Sequence, residues 1–151
     1  MLTRYVLCLF LLVASNLSLA QDDGVVRVKS AYSASETIAR IKSDVAAKGI
    51  LFFGEIDQAA LAEKAGIKIR PSTLLTFGNP PLGTQFIAAR PEAGLDWPVR
   101  LLVQEDAQGD VWAVYTDFGW IARRHGIAGE AAAPFNTATG VIESITSSIS
   151  K

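Results

Sequence analysis

The chain has few of the residues that carry enzyme chemistry. Its 151 residues include one cysteine, Cys8, and one histidine, His125. Cys8 lies in a segment that we expect to be removed on export, which would leave no disulfide, no thiol nucleophile and no thiolate metal ligand. A zinc site would then need three oxygen ligands beside His125, and a Ser-His-Asp triad would depend on that residue alone. We therefore expect no metal and no cofactor.

The first twenty residues have the pattern of a cleavable export signal. Arg4 precedes an unbroken apolar run over residues 5–13, and Ser18-Leu19-Ala20 places small residues at the positions that signal peptidase reads. The run is shorter than the roughly 20 residues that cross a bilayer. The sequence predicts a signal over 1–20, cleavage after Ala20, and a periplasmic or secreted mature protein without membrane attachment. An uncleaved N-terminal anchor is the alternative.

The mature chain also lacks a strong charge and any internal division. Removing residues 1–20 leaves 13 basic and 15 acidic residues, a net charge of −2. Such a charge does not attract nucleic acid or an anionic membrane, so neither is expected as a partner. No repeat or linker divides the chain. We predict a single domain over residues 21–133, followed by a C-terminal helix over 134–151.

The order of predicted elements favours an α+β fold. Strands are expected at residues 25–29, 50–56, 73–77, 99–105 and 111–116, the second of them buried. Ser33 and Glu36 form a capping box for the first helix, and Asp57 and Asp117 cap two others. Strand-helix-strand followed mainly by strands predicts a mostly antiparallel sheet with helices on one face.

The hairpin of the last two strands has two apolar faces. If Glu105 opposes Val111, one face holds Leu101, Val103, Val111, Ala113 and Tyr115, and the other holds Leu102, Trp112 and Val114. A solvated sheet face is normally polar. A helix of the same chain, another subunit or an apolar ligand is therefore expected to cover the second face.

Constrained polar residues at strand ends form the candidate binding site. Residues 78–84 resemble the glycine frame of a phosphate loop, but Thr84 replaces its lysine, so we predict a rigid turn that aims Asn79 and caps a helix starting at Thr84. Asp96 is flanked by apolar residues, and a buried carboxylate must be paired or have a raised pKa. The candidate ligand-binding residues are Asn79, Asp96, Glu105, Tyr115 and Asp57.

Three functions are compatible with these residues. The leading hypothesis is a non-catalytic exported domain that binds a small molecule or a protein partner in a cleft between sheet and helices. The second is a hydrolase- or isomerase-like enzyme in which Asp96 pairs with Glu55 or Glu105 as general acid and base. The third is a homodimer formed through the apolar second face of the hairpin.

Several separated motifs resemble one bacterial and archaeal family. The motifs are Glu55-Ile56-Asp57, Arg70-Pro71, residues 74–80, Gly83-Thr84, Leu95-Asp96-Trp97-Pro98, residues 102–106 and Tyr115. In this order they resemble the domain of unknown function 302 family, over about residues 25–127. The resemblance implies a TBP-like α/β fold, with a curved, mostly antiparallel sheet backed by helices and often dimeric, and it implies no reaction.

The chain departs from the pattern of that family at two positions. Gln58 stands where members typically have a histidine, and Trp97 replaces the usual leucine. A family mechanism that relied on the imidazole would be doubtful in this protein.

Overall fold

The computed structural model describes residues 22–150, which form five strands and five α-helices. The strands are β1 (Val25–Lys29), β2 (Leu51–Asp57), β3 (Ser72–Gly78), β4 (Val99–Glu105) and β5 (Val111–Thr116). The helices are α1 (Ala34–Ala47), α2 (Gln58–Lys64), α3 (Pro80–Ala89), α4 (Phe118–Arg124) and α5 (Ala133–Ser147). The predicted export signal and its cleavage site lie outside the described residues. Within residues 22–150, no helix is long and apolar enough to cross a membrane.

The strands form one sheet in the order β1-β5-β4-β3-β2, and every neighbouring pair is antiparallel. The central hairpin has the predicted register, with Glu105 opposite Val111. Its loop closes with Gly109 at φ 84°, a left-handed conformation that favours glycine. The predicted α+β class and the antiparallel sheet backed by helices are confirmed. β1 and β2 are the two edges of the sheet.

One face of the sheet carries the hydrophobic core. All five residues predicted for the inner face of the hairpin are buried: Leu101, Val103, Val111, Ala113 and Tyr115. β3 adds Leu75 and Phe77, and α1 buries Ile41 and Val45 in the same core. The opposite face of α1 is polar and exposed to solvent, so the helix is amphipathic, as the spacing of its apolar residues requires.

The capping residues set the helix boundaries. Ser33 Oγ accepts a hydrogen bond from the Glu36 amide at 3.3 Å at the start of α1. Asp57 and Asp117 cap α2 and α4 in the same way, with amide–carboxylate distances of 2.9 Å and 2.6 Å. These three caps satisfy helix amides that would otherwise lack partners, and all three are as predicted.

The C-terminal helix is part of the core rather than an appendage. α5 buries Phe135, Ile142 and Ile145, and Phe135 stacks on Phe86 of α3 with 3.9 Å between ring centroids. Beyond its end, Ile149 is fully buried and its carbonyl accepts a hydrogen bond from the Ala31 amide.

The prediction of a turn over residues 78–84 was wrong. α3 begins at Pro80, four residues before Thr84, and Asn79 occupies its N-cap position without a side-chain capping bond. The reason is that Pro80 and Pro81 occupy the first helical positions, where proline's missing amide costs no hydrogen bond and its fixed φ suits the helix.

The prediction that the second strand is buried was also wrong. Only Ile50, just before β2, is buried, whereas Leu51, Phe52 and Phe53 are 52%, 37% and 48% exposed. The apolar run identifies a strand but not its place in the sheet, and β2 lies at an edge.

The second face of the hairpin is covered only in part by the described residues. Leu102, Trp112 and Val114 are each half-buried. The registers place Leu102 and Val114 in one row with Leu74 and Ile56, so an apolar stripe crosses this face of the sheet.

Candidate functional site

The five predicted binding residues lie in four places. Asp96 and Tyr115 line one small pocket together with Phe118. Asn79 lies at the start of α3, Glu105 at the far end of β4, and Asp57 between β2 and α2. The structure therefore brings Asp96 and Tyr115 together and separates the other three.

A buried ion cluster surrounds Asp96. Its side chain is 3% exposed, and Oδ2 lies 2.7 Å from Nε2 of His125, whose side chain is 7% exposed. Arg124 donates from Nη1 to both oxygens at 3.1 Å and 3.3 Å, and Arg100 lies 3.4 Å away. An ionised carboxylate only accepts hydrogen bonds, so the short contact suits the His125 tautomer that carries its proton on Nε2.

Two segments bring this cluster together. Asp96 ends a short 3-10 turn over residues 91–96, just before the cis Trp97–Pro98 peptide. Arg124 and His125 occupy the end of α4, where cations interact favourably with the helix dipole. This pair is not predictable from the sequence, because 29 residues separate Asp96 from His125. The only sequence feature that pointed to this pair was an aspartate predicted to be buried, Asp96, in a chain with a single histidine.

The phenol beside this cluster is not available as a base. Burial raises the pKa of Tyr115, and the negative charge of Glu143 raises it further. Tyr115 therefore stays neutral at ordinary pH. Because His125 and Arg124 both donate to the Asp96 carboxylate, the cluster has the features of a structural ion network.

The proposed acid–base pair of Asp96 and Glu105 is not assembled in this structure. Glu105 lies at the opposite end of β4, roughly 20 Å away at about 3.3 Å per residue, and its carboxylate is 3.4 Å from Arg70. Glu55 pairs with Lys42 of α1 at 2.8 Å. Paired carboxylate catalysts need separations below about 10 Å, so Asp96 and Glu105 do not form such a pair.

Gln58 has a local role in place of the family histidine. Its Oε1 accepts a hydrogen bond from Ser72 Oγ at 2.7 Å, which ties the start of α2 to the start of β3. The carboxylate of the neighbouring Asp57 accepts a capping hydrogen bond from the Ala60 amide.

The acidic loop between β4 and β5 is satisfied by its own chain. Asp106 accepts hydrogen bonds from Trp112 Nε1 at 2.7 Å and from the amides of Gln108 and Asp110 at 2.9 Å. The Trp112 bond is the main reason that the pKa of Asp106 is lowered. Across residues 22–150, no three His, Cys, Asp or Glu side chains form a group that could hold a metal ion.

An exposed apolar surface follows β2 and the segment after it. Seven of the eight large apolar side chains that are exposed in the described chain lie between residues 51 and 69. We call them together the β2 surface: Leu51, Phe52, Phe53, Ile56, Leu61, Ile67 and Ile69. Those on β2 lie on both faces of the strand, since Phe52 is registered with the buried Phe77 and Ile56 with Leu74 on the opposite face. In the described residues β2 pairs only with β3, so its outer backbone edge is unpaired. Natural sheets usually protect such an edge with charge, proline or a covering element.

A second apolar feature lies between α3 and α5. Its inner part has a volume of about 40 Å³ and is lined by Phe77, Phe86, Trp97 and Ile142, among others. An outer groove of about 380 Å³ shares Ile50, Asn79, Leu82 and Val141 with it. We call the two parts together the α3–α5 cleft. Of the five predicted ligand residues, Asn79 alone borders it.

Curated relatives of the chain are named as fluoride-specific ion channels. It is 39% identical over 106 residues to the fluoride-specific ion channel FluC 1 of Brucella suis, a match covering 70% of this chain and 42% of that protein. The FluC 1 channel of Brucella abortus is also 39% identical over 106 residues, with 39% of its length covered. The chain thus spans about two fifths of the curated relatives that it matches.

A solved structure and a family model agree with the observed fold. The crystal structure of an uncharacterized conserved DUF302 protein from Bacillus stearothermophilus superposes with a TM-score of 0.75 and 13% identity, over 83% of this chain and 97% of that one. The family model described as "Domain of unknown function DUF302" matches residues 26–145, well past the predicted limit at residue 127 and into α5. The chain therefore belongs to the DUF302 family.

Proposed function

We propose that this chain is an exported, non-catalytic protein-binding domain, and that its β2 surface binds a second copy of the chain. The main observation behind this proposal is that exposed large apolar side chains are concentrated on and beside one unpaired edge strand. Exposed apolar patches of this kind mark interaction sites in soluble domains.

The outer edge of β2 can pair with the same edge of a second copy of the chain across a two-fold axis. A two-fold axis makes the two strands antiparallel and places the same surface on both sides of the contact. Because alternate residues of an edge strand direct their N–H and C=O groups outward, each seven-residue strand offers the backbone groups of about three or four residues to the other, as in other complexes formed by strand addition. The two five-stranded sheets become one continuous sheet.

The charges near β2 permit this contact. Its two acidic side chains are already engaged, Glu55 by Lys42 at 2.8 Å and Asp57 by the first turn of α2. Lys64 and Lys68 lie on the flanking segment. Two copies of β2 therefore meet without a pair of free carboxylates between them.

The exposed apolar area sets an upper bound on the contact. Seven large apolar side chains, each about half exposed on the two faces and the flank of β2, leave at most on the order of 600 Å² per copy, against the roughly 800 Å² per partner of a standard interface. Backbone and polar atoms of the same strand add to this area.

The curated relatives are compatible with a role in protein contact. In the Brucella proteins the matching segment is part of a longer chain named as a fluoride-specific ion channel. A domain that is joined to an ion channel in relatives is compatible with a binding role, in which contact rather than turnover is the function.

Replacing Ile56 with lysine tests the proposed interface. Ile56 is 44% exposed on β2, and the substitution places two additional charges near the two-fold axis. We expect the wild-type domain to dimerise and the Ile56→Lys variant to show at least a tenfold higher dimer Kd, because desolvating an unpaired lysine opposes association. Light scattering coupled to size-exclusion chromatography measures the change.

Val25→Lys provides the matched control on the opposite edge. Val25 lies on β1, on the same sheet face as Ile56. This variant should dimerise like the wild type. A wild-type domain that stays monomeric at millimolar concentration, or equal dimer Kd values for both variants, would contradict the proposed interface.

The proposed export is tested by the mass and location of the protein after expression. When the full chain is produced in a bacterial host, the protein recovered from the periplasmic fraction should have the intact mass of a chain starting at Gln21. Recovery of the uncleaved chain in the membrane fraction would instead indicate an N-terminal anchor.

A further inference from the structure

The α3–α5 cleft has an interior that only an apolar group can occupy. Its walls are the end of β3, the first turns of α3 and the inward face of α5, and they consist almost wholly of carbon atoms. Phe77, Phe86 and Ile142, which close its inner end, are each at most 2% exposed. Water gains too few hydrogen bonds in such a space to be held there.

The volume of the interior selects the shape of that group. About 40 Å³ is well below the roughly 150 Å³ of an apolar cavity that admits benzene. A ring does not fit without displacing core side chains. The end of an unbranched alkyl chain, about one or two carbons long, fits, and the rest of the molecule would extend along the outer groove.

The outer groove is polar on its rim and has one cation. Its polar side chains are Lys48, Asn79, Thr137 and Ser144, and no carboxylate lines it. Lys48 is exposed and forms no ion pair with any residue in the part of the chain that the structure covers. The Asn79 side chain is also free of a capping bond.

The first turn of α3 offers no competing anion site. Pro80 and Pro81 have no amide hydrogen, and the amides of Leu82 and Gly83 donate to the Asn79 carbonyl. An anionic head group at this mouth is therefore attracted by Lys48, with Asn79 as its neighbouring donor.

From these features we propose that the α3–α5 cleft binds a small aliphatic monocarboxylate, with its alkyl tail in the apolar interior and its carboxylate at Lys48 and Asn79. This site is independent of the β2 surface, since none of the seven β2-surface residues lines it. In this site the predicted ligand-binding residue Asn79 donates a hydrogen bond to the carboxylate.

Hexanoate titrated into the methyl-labelled domain tests this site. Saturable shifts are expected at the methyl groups of Val141, Ile142 and Ile145. Hexanol, with the same tail and no charge, should bind at least fivefold more weakly, and benzoate should not saturate. No saturable shift with hexanoate up to 50 mM, or equal affinity for hexanol and hexanoate, would overturn the proposal.

Two variants with matched controls separate the head group from the tail. Lys48→Gln should weaken hexanoate binding about fivefold and leave hexanol unchanged, whereas Lys64→Gln on α2 should alter neither. Gly140→Leu should block the groove, because a Cβ at Gly140 meets nothing within 4 Å and the added side chain enters the open mouth. Gly140→Ala should still bind. Unchanged hexanoate affinity in both Lys48→Gln and Gly140→Leu would overturn the assignment.

Discussion

Replacing Asp96 with asparagine is expected to lower the free energy of unfolding by about 3 kcal/mol and the Tm by about 10 °C. The buried carboxylate accepts from His125 at 2.7 Å and from Arg124 at 3.1 Å. Asparagine has nearly the same shape, but its amide group places donors opposite these donors and removes the compensating charge. Breaking a buried pair from one side leaves the remaining polar groups without adequate partners. Urea denaturation and calorimetry measure the change.

Asp110→Asn is the matched control for this effect. Asp110 forms a 2.6 Å ion pair with Lys29, but the two side chains are 41% and 55% exposed. Surface ion pairs contribute little, so a loss below about 1 kcal/mol is expected. A similarly small loss for Asp96→Asn would show that the cluster does not stabilise the fold and would return Asp96 to consideration as a functional carboxylate.

Gly83→Ala is expected to cost about 3 kcal/mol, because the indole of Trp97 occupies the space of the missing side chain. A Cβ at position 83 would lie 1.8 Å from Trp97 Nε1 and 2.3 Å from Cδ1. Gly78 faces the same indole, with a Cβ position 3.0 Å from Nε1. The ring thus packs into a gap between two glycines, and either α3 or the indole must move when that gap closes.

A double-mutant cycle identifies the cause of the loss. In a Trp97→Leu background, Gly83→Ala should cost less than about 1 kcal/mol, giving a coupling energy of about 2 kcal/mol. Gly140→Ala, at a helical position where a Cβ meets nothing within 4 Å, should stabilise the domain by about 0.5–1 kcal/mol. Equal costs of Gly83→Ala in the wild-type and Trp97→Leu backgrounds would show that the indole is not the obstacle.

Local chemistry was enough to predict most elements and the central pairing. The Ser33 cap, the aspartate caps and the glycines after α1 and α2 act within a few residues, so the sequence contains all of their interacting groups. The Glu36 half of the predicted capping box does not form, because its carboxylate pairs with Arg40 instead. The β4–β5 register followed from a short loop and from two-residue alternation along both strands.

Features that depend on distant segments were not predictable in this way. The exposure of β2 follows from its edge position, which depends on how four other strands are ordered. The pairing of Asp96 with His125 requires α4 to return to the start of β4. The candidate site residues were chosen because they lie at strand ends, yet every strand has two ends. Asp96 precedes β4 and Glu105 ends it, and this is why they lie far apart.

Amide hydrogen exchange of the wild-type domain, measured at low and high protein concentration, tests the central claim most directly. If β2 pairs with a second copy, the amides of residues 51–57 should exchange more slowly as concentration rises, while those of β1, the other edge, should not change. The Ile56→Lys variant should lose this concentration dependence. Exchange at β2 that stays fast and independent of concentration up to the solubility limit would contradict the assignment of this edge as the binding surface.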